Sequence, residues 1–171
     1  RQNLTDDTYC NKVVQGLADA VELYFYPKTM YLTFDDGPYT DSTNKVLDVL
    51  KEKNIKATFF LIGKNVEKTP NAVAIRETTI FAFSSPETAK RIAEEGHTIG
   101  IHCYNHDYNV IYENAEAYMA DFEKAKNIIE NITGVETKLF RFPGGSINSY
   151  NKKVYKEIIE KMTAAGYVYF D

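Results

Sequence analysis

The sequence has no tryptophan, only three histidines and two cysteines. No apolar run approaches the roughly 20 residues that a membrane-spanning helix needs. An excess of positive charge is missing as well: 20 basic against 24 acidic residues leave a formal charge of −4. Nucleic acid is therefore not an expected partner. The basic residues from Lys51 to Lys56 are interrupted by Glu52 and read as a solvated helix face. Cys10 and Cys103 are too few to define a disulfide framework. A bond between them requires the N-terminal segment to pack beside Cys103, and pairing and two free thiols both stay open. No signal peptide is present, yet the chain begins at Arg1 rather than Met; a processed or trimmed form is expected, and a removed export signal is compatible with that start. Asn3-Leu4-Thr5 and Asn131-Ile132-Thr133 match the glycosylation sequon, a short pattern often met by accident.

What is present is a chain of 171 residues, 44% hydrophobic and 26% charged, enough for one globular domain with a sizeable core. Lys12 to Tyr26 is mixed and is compatible with a helix followed by a short extended piece. From Met30 a regular alternation begins. Met30 to Phe34 is predicted as a strand, and Ser42 to Asn54 as a helix with Val46, Leu47, Val49 and Leu50 as its apolar stripe. Ala57 to Ile62 is the next strand, closed by Gly63. Thr78 to Phe83 reads as an extra strand, Pro86 to Glu95 as a helix stopped by Gly96, and Thr98 to Ile101 as a strand. A long helix over Glu113 to Asn131 ends near Gly134, and Leu139 to Phe142 is a strand broken by Pro143-Gly144-Gly145. A last helix, Lys152 to Ala165, leads into a strand over Tyr167 to Phe170. Such strand–helix alternation implies a parallel sheet or a (β/α) barrel, whose sites lie at the C-terminal ends of the strands.

Three polar clusters fall at strand ends: Asp35-Asp36, His102 to His106, and Arg141 with the Pro-Gly-Gly turn. Two adjacent carboxylates can divide two tasks, one binding a cation and the other moving a proton; alone, they equally fit a turn that caps the strand. His102 and His106, four residues apart, can reach one metal, and a carboxylate completes a three-ligand set with an open position for water. Arg141 is suited to hold the remaining carboxylate ionised and oriented. A backbone N–H of the Gly144-Gly145 turn is placed to face a developing oxyanion. His97 reads as structural. Tyr104, Tyr108 and Tyr112, spaced by four, read as packing residues, although the 13 tyrosines also suit a surface that stacks on sugar rings.

Thr33-Phe34-Asp35-Asp36-Gly37-Pro38, His102-x-x-x-His106 and Arg141-Phe142-Pro143-Gly144-Gly145-Ser146 resemble, in order, the first three motifs of NodB-homology polysaccharide deacetylases, carbohydrate esterase family four. Ala57 to Phe60 and Glu95 to Gly100 resemble the stretches between those motifs. The resemblance implies a distorted (β/α) barrel over residues 28–171, preceded by an extension over residues 1–27. It implies Asp35 as general base, Asp36, His102 and His106 as ligands of a divalent metal (usually zinc, with cobalt or nickel as alternatives), and Arg141 as the tether of Asp35. Gly144 stands where the family often has a tyrosine whose main-chain N–H helps form the oxyanion hole.

Two departures stand out. Thr69 to Ala89 is longer than the usual connection, and the chain stops at Asp171 inside the strand that leads to the fourth motif. Asp171 does not match the fourth-motif aspartate, and the fifth motif, with its general-acid histidine, has no counterpart here. The expectation is thus a barrel truncated at its C-terminus, since closed (β/α) barrels take roughly 200 to 250 residues. The implied reaction is removal of N-acetyl groups from N-acetylglucosamine in cell-wall peptidoglycan by an exported or wall-associated enzyme. Chitin oligosaccharides, acetylated xylan, a small cyclic amide and a degenerate carbohydrate-binding domain are the alternatives. Nothing in the sequence sets the oligomeric state.

Overall fold

The computed structural model describes residues 7–25, 29–67 and 85–171. These fall into two units divided between Tyr31 and Leu32. In the first unit a helix, α1, runs over Asp7–Phe25, longer than the mixed pattern of that segment suggests. Its side chains from Asn11 to Asp19 are exposed, apolar Val14 and Leu17 among them.

The second unit is built on five strands: β1 (Thr33–Asp35), β2 (Thr58–Ile62), β3 (Thr98–Cys103), β4 (Leu139–Arg141) and β5 (Val168–Phe170). They form one all-parallel sheet in the order β1-β2-β3-β4-β5. Sequential order with helical connections is what βαβ units produce when each crossover places the next strand beside the last. The connections carry α2 (Thr40–Glu52), α3 (Gly63–Val66), α4 (Pro86–Glu94), α5 (Tyr108–Ile111), α6 (Ala115–Thr133) and α7 (Tyr155–Ala164).

Sequence and burial agree element by element. Phe59, Phe60, Leu61 and Ile62 of β2 are all buried, as expected of a strand covered on both faces. On α6, Ala115, Tyr118, Phe122, Ala125 and Ile129 recur at three- and four-residue steps and make one buried stripe. Asn114 caps that helix by accepting from Ala117 N–H at 2.7 Å, and Gly134, at φ 72°, ends it in the left-handed conformation. Where the Phe60 ring of β2 lies across β3, the chain needs a glycine. A Cβ on Gly100 would lie 2.5 Å from ring carbons of Phe60.

Three expectations need correction. β1 begins at Thr33 rather than Met30, because β2, its ladder partner, starts only at Thr58; Met30 and Tyr31 are exposed. On α2, Leu47 and Leu50 are buried and Val46 partly so, but Val49 is 55% exposed. At 100° per residue Val49 stands 100° from Leu50 and 160° from Leu47, outside the face that Thr43, Leu47 and Leu50 bury. The short helices α3 and α5 were not anticipated. The extra strand over Thr78 to Phe83, most of the connection from Thr69 to Ala89, the Asn3 sequon and the Cys10 side chain lie outside the described residues. Cys103 is a free, buried thiol, and burial pushes its pKa up.

Because all strands run the same way, their C-terminal ends share one edge of the sheet, carrying Asp35, Cys103, Arg141 and Phe170. His97, just before β3, belongs to the scaffold: its buried ring accepts the Ala57 N–H at 3.2 Å and stands edge-on to Phe59.

Candidate active site

The six residues singled out in the sequence line one cleft of about 480 Å³ at this edge, together with Tyr108, Phe142, Gly145 and Asp171. Asp36 follows β1 with φ 67°, a left-handed conformation that few side chains adopt and that aspartate and asparagine tolerate best after glycine. Two hydrogen bonds fix the turn that holds it: Asn65 donates to the Asp36 carbonyl at 2.8 Å, and Ile62 N–H to the Gly37 carbonyl at 2.8 Å. The turn separates the neighbouring carboxylates, sending Asp36 toward the histidines and Asp35 toward Arg141.

Asp36 Oδ1 lies 3.3 Å from His102 Nε2 and 3.1 Å from His106 Nε2. That oxygen is buried, yet makes no hydrogen bond of acceptable geometry with any described residue. The three donor atoms all fall within 4.8 Å of one another. His102 Nδ1 is 2.9 Å from the Arg141 carbonyl oxygen, which can only accept; Nδ1 therefore carries the proton and Nε2 presents its lone pair. Atoms that converge without bonding one another are what a shared cation requires, so this set fits a divalent metal. A second proton on His102, taken at Nε2, holds the Asp36 carboxyl below the usual carboxylate range, with His106 acting the same way and partial burial opposing.

The loop from His102 to His106 is pinned from α6. Asp121 accepts from Tyr104 N–H at 2.6 Å and from Asn105 N–H at 3.1 Å. Burial nonetheless pushes the Asp121 carboxyl up.

Asp35 Oδ1 receives Arg141 Nη1 at 2.9 Å, and the same nitrogen donates to Thr33 Oγ1 at 2.9 Å. The guanidinium lies over the Phe60 ring, 4.5 Å from its centroid. Gly144 sits in a turn closed by Gly145 N–H on the Phe142 carbonyl at 3.0 Å and braced by Tyr112 Oη on the Pro143 carbonyl at 2.7 Å. Among the described residues the Gly144 N–H has no acceptor.

Sequence reasoning missed several members of this site. Asp171 lines the cleft and accepts from Ser146 N–H at 2.8 Å and from the Ser146 hydroxyl; as the last residue it carried no local pattern. Thr33, Asn65 and Asp121 act through positions only the fold discloses. The three evenly spaced tyrosines separate in role. Tyr104 bonds Glu67 at 2.7 Å and Tyr112 is buried, as packing residues should be, whereas Tyr108 faces the cleft.

A parallel α/β sheet thus carries at its C-terminal edge a His-His-Asp set that fits a divalent metal and, in the same cleft, an Arg-held carboxylate. The family model for polysaccharide deacetylase matches residues 25–166, and the chain belongs to that family. It is 43% identical over 116 residues to a peptidoglycan-N-acetylglucosamine deacetylase of Bacillus cereus, covering 68% of this chain and 36% of that protein. Among solved structures, the catalytic domain of a peptidoglycan N-acetylglucosamine deacetylase from Eubacterium rectale matches with a TM-score of 0.67 at 33% identity, over 86% of this chain and 64% of that one. A family 4 acetyl xylan esterase from Clostridium thermocellum, solved in complex with a cobalt ion, matches at a TM-score of 0.56 and 26% identity, over 71% and 51% of the two chains. The chain spans 36% to 44% of the length of three curated relatives that it matches. The expected α/β fold of the NodB-homology type is thus borne out.

Proposed function

We propose that this protein is a metal-dependent hydrolase that removes N-acetyl groups from N-acetylglucosamine residues of peptidoglycan. One observation carries the reading: Asp36 Oδ1 faces two histidine Nε2 atoms without bonding them, in the same cleft as an Arg-held carboxylate. Asp36, His102 and His106 are the metal ligands in this proposal; zinc suits two imidazoles and a carboxylate, and cobalt or nickel suit them too. A divalent ion held there supplies Lewis acidity to the acyl group.

The remaining steps belong to the chain itself. Asp35 accepts the proton of a water as it adds to the acetamide carbon. Arg141 keeps that carboxylate aimed at the cleft, and the Gly144 N–H donates to the oxygen that becomes negatively charged. The nitrogen takes back the proton held by Asp35 as the carbon–nitrogen bond breaks, giving acetic acid, which ionises to acetate, and a free amine. The substrate assignment rests on the names of the relatives. We assign the deacetylase domain to residues 28–171, with 1–27 as an extension, and the site of action to the cell wall or the extracellular space. No helix among the described residues is long and apolar enough to cross a membrane.

The test is acetate release from purified peptidoglycan, from an N-acetylglucosamine tetramer and from acetylated xylan, after chelation and after zinc is restored. Zinc-dependent release from the first two supports the reading. Release from xylan alone makes the protein an O-acetyl esterase, and release from none overturns the proposal.

A further inference from the structure

Tyr108 stands apart from the other tyrosines around the cleft. Tyr104 and Tyr112 spend their hydroxyls on Glu67 and the Pro143 carbonyl. The Tyr108 hydroxyl has no hydrogen-bond partner among the described residues, although it lies inside the cleft. Its ring is wedged between the His106 ring and the Tyr150 ring, at centroid separations of 5.3 Å each, the second edge-on. Those contacts fix the ring plane.

What lets the hydroxyl reach its position is Gly144. A Cβ on that residue would lie 3.0 Å from Tyr108 Oη and 3.2 Å from the adjoining ring carbons. The phenol thus fills the space that a side chain at position 144 would occupy, beside the free Gly144 N–H. A rigid ring with an unspent O–H at the wall of a polar cleft is a preorganised hydrogen-bonding group.

We propose that Tyr108 is a specificity-determining residue whose hydroxyl hydrogen-bonds an oxygen of the acetylated sugar, holding its acetamide against Gly144. This rests on the deacetylase reading above. The ligand class is an N-acetylated hexosamine within a glycan. An acetyl group without a sugar makes no use of the contact.

The variant Tyr108→Phe keeps the ring and its packing and removes only the hydroxyl. Kinetics are compared on an N-acetylglucosamine tetramer and on 4-nitrophenyl acetate, alongside zinc content and melting temperature. The expected result is a KM for the tetramer raised roughly threefold to tenfold, the loss of about one hydrogen bond. Hydrolysis of 4-nitrophenyl acetate, zinc content and melting temperature stay unchanged. An unaltered KM for the tetramer, with wild-type protein active on it, overturns the role of Tyr108 and leaves the deacetylase reading standing. Equal losses on both substrates also overturn it, because they mark a structural role. A wild-type protein inactive on the tetramer overturns the deacetylase reading and this proposal with it.

Discussion

Arg141 Nη1, carried by β4, lies 2.9 Å from Asp35 Oδ1, carried by β1. Three strand spacings separate these strands in the sheet order, about 14 Å if the sheet were flat. The contact therefore fits a sheet curled toward closure, with the arginine crossing its concave face over Phe60. The bond ties the fold to the chemistry, since the pair forms only when β1 and β4 are both in register.

Replacing Arg141 with alanine is expected to lower kcat/KM for acetate release roughly a hundredfold, the scale of losing one preorganised charged group at a reacting centre. Zinc content should be unchanged, because Arg141 touches the metal set only through its backbone carbonyl. Arg141→Lys should recover little, since both bonds come from a nitrogen that the flat guanidinium, stacked over Phe60, holds in place, and a flexible ammonium has no such plane to stack. Near wild-type turnover in Arg141→Ala would remove the pair from the mechanism.

Asp121 gives a second test, remote from the reacting atoms. Its carboxylate accepts two consecutive N–H groups of the loop that carries both histidines. Asp121→Ala leaves those donors unpaired and loosens the loop. Zinc affinity, measured by competition with a chromogenic chelator, should fall about tenfold to a hundredfold, the range seen when groups supporting metal ligands are removed. Unchanged affinity would mean the histidines are set by β3 alone.

Much of this was legible in the sequence, and the rest was not for physical reasons. The unbroken apolar run of Phe59 to Ile62 and the periodic stripe of α6 announce themselves because burial, on both faces or on one, leaves its pattern on residues close in sequence. Asp35, Asp36, His102, His106 and Arg141 could be grouped because they lie at or just beyond strand ends, and a parallel sheet gathers its strand ends at one edge, here into one cleft. The four-residue helices α3 and α5 are too short to show a period. Tyr108 looked like its neighbours Tyr104 and Tyr112; only the backbone of Gly144, far along the chain, distinguishes it. Val49 was misplaced because apolar character was read without the 100° step between residues.

His97 predicts a pH signature of stability. Burial lowers its pKa, the charge of Lys56 and then of Arg91 adds to that, and Glu95 opposes. The unfolded chain, with an ordinary histidine pKa near 6.5, then binds a proton that the folded chain does not. Stability from this group is complete above about pH 6.5 and falls as pH drops toward the depressed folded value, by at most about 1.4 kcal/mol per pH unit. Urea unfolding at several pH values should show a smaller loss in His97→Gln than in wild type. Identical slopes would show that the ring protonates freely in the folded state.

Metal content by elemental analysis bears most directly on the site, measured on wild type, Asp36→Ala and the His102→Ala/His106→Ala double variant after zinc is supplied and excess removed. The expected result is one equivalent in wild type, much less in Asp36→Ala and none in the double variant, with near-ultraviolet circular dichroism unchanged. No retained metal in wild type, or one equivalent retained in all three, would contradict the assignment of Asp36, His102 and His106 as a metal centre.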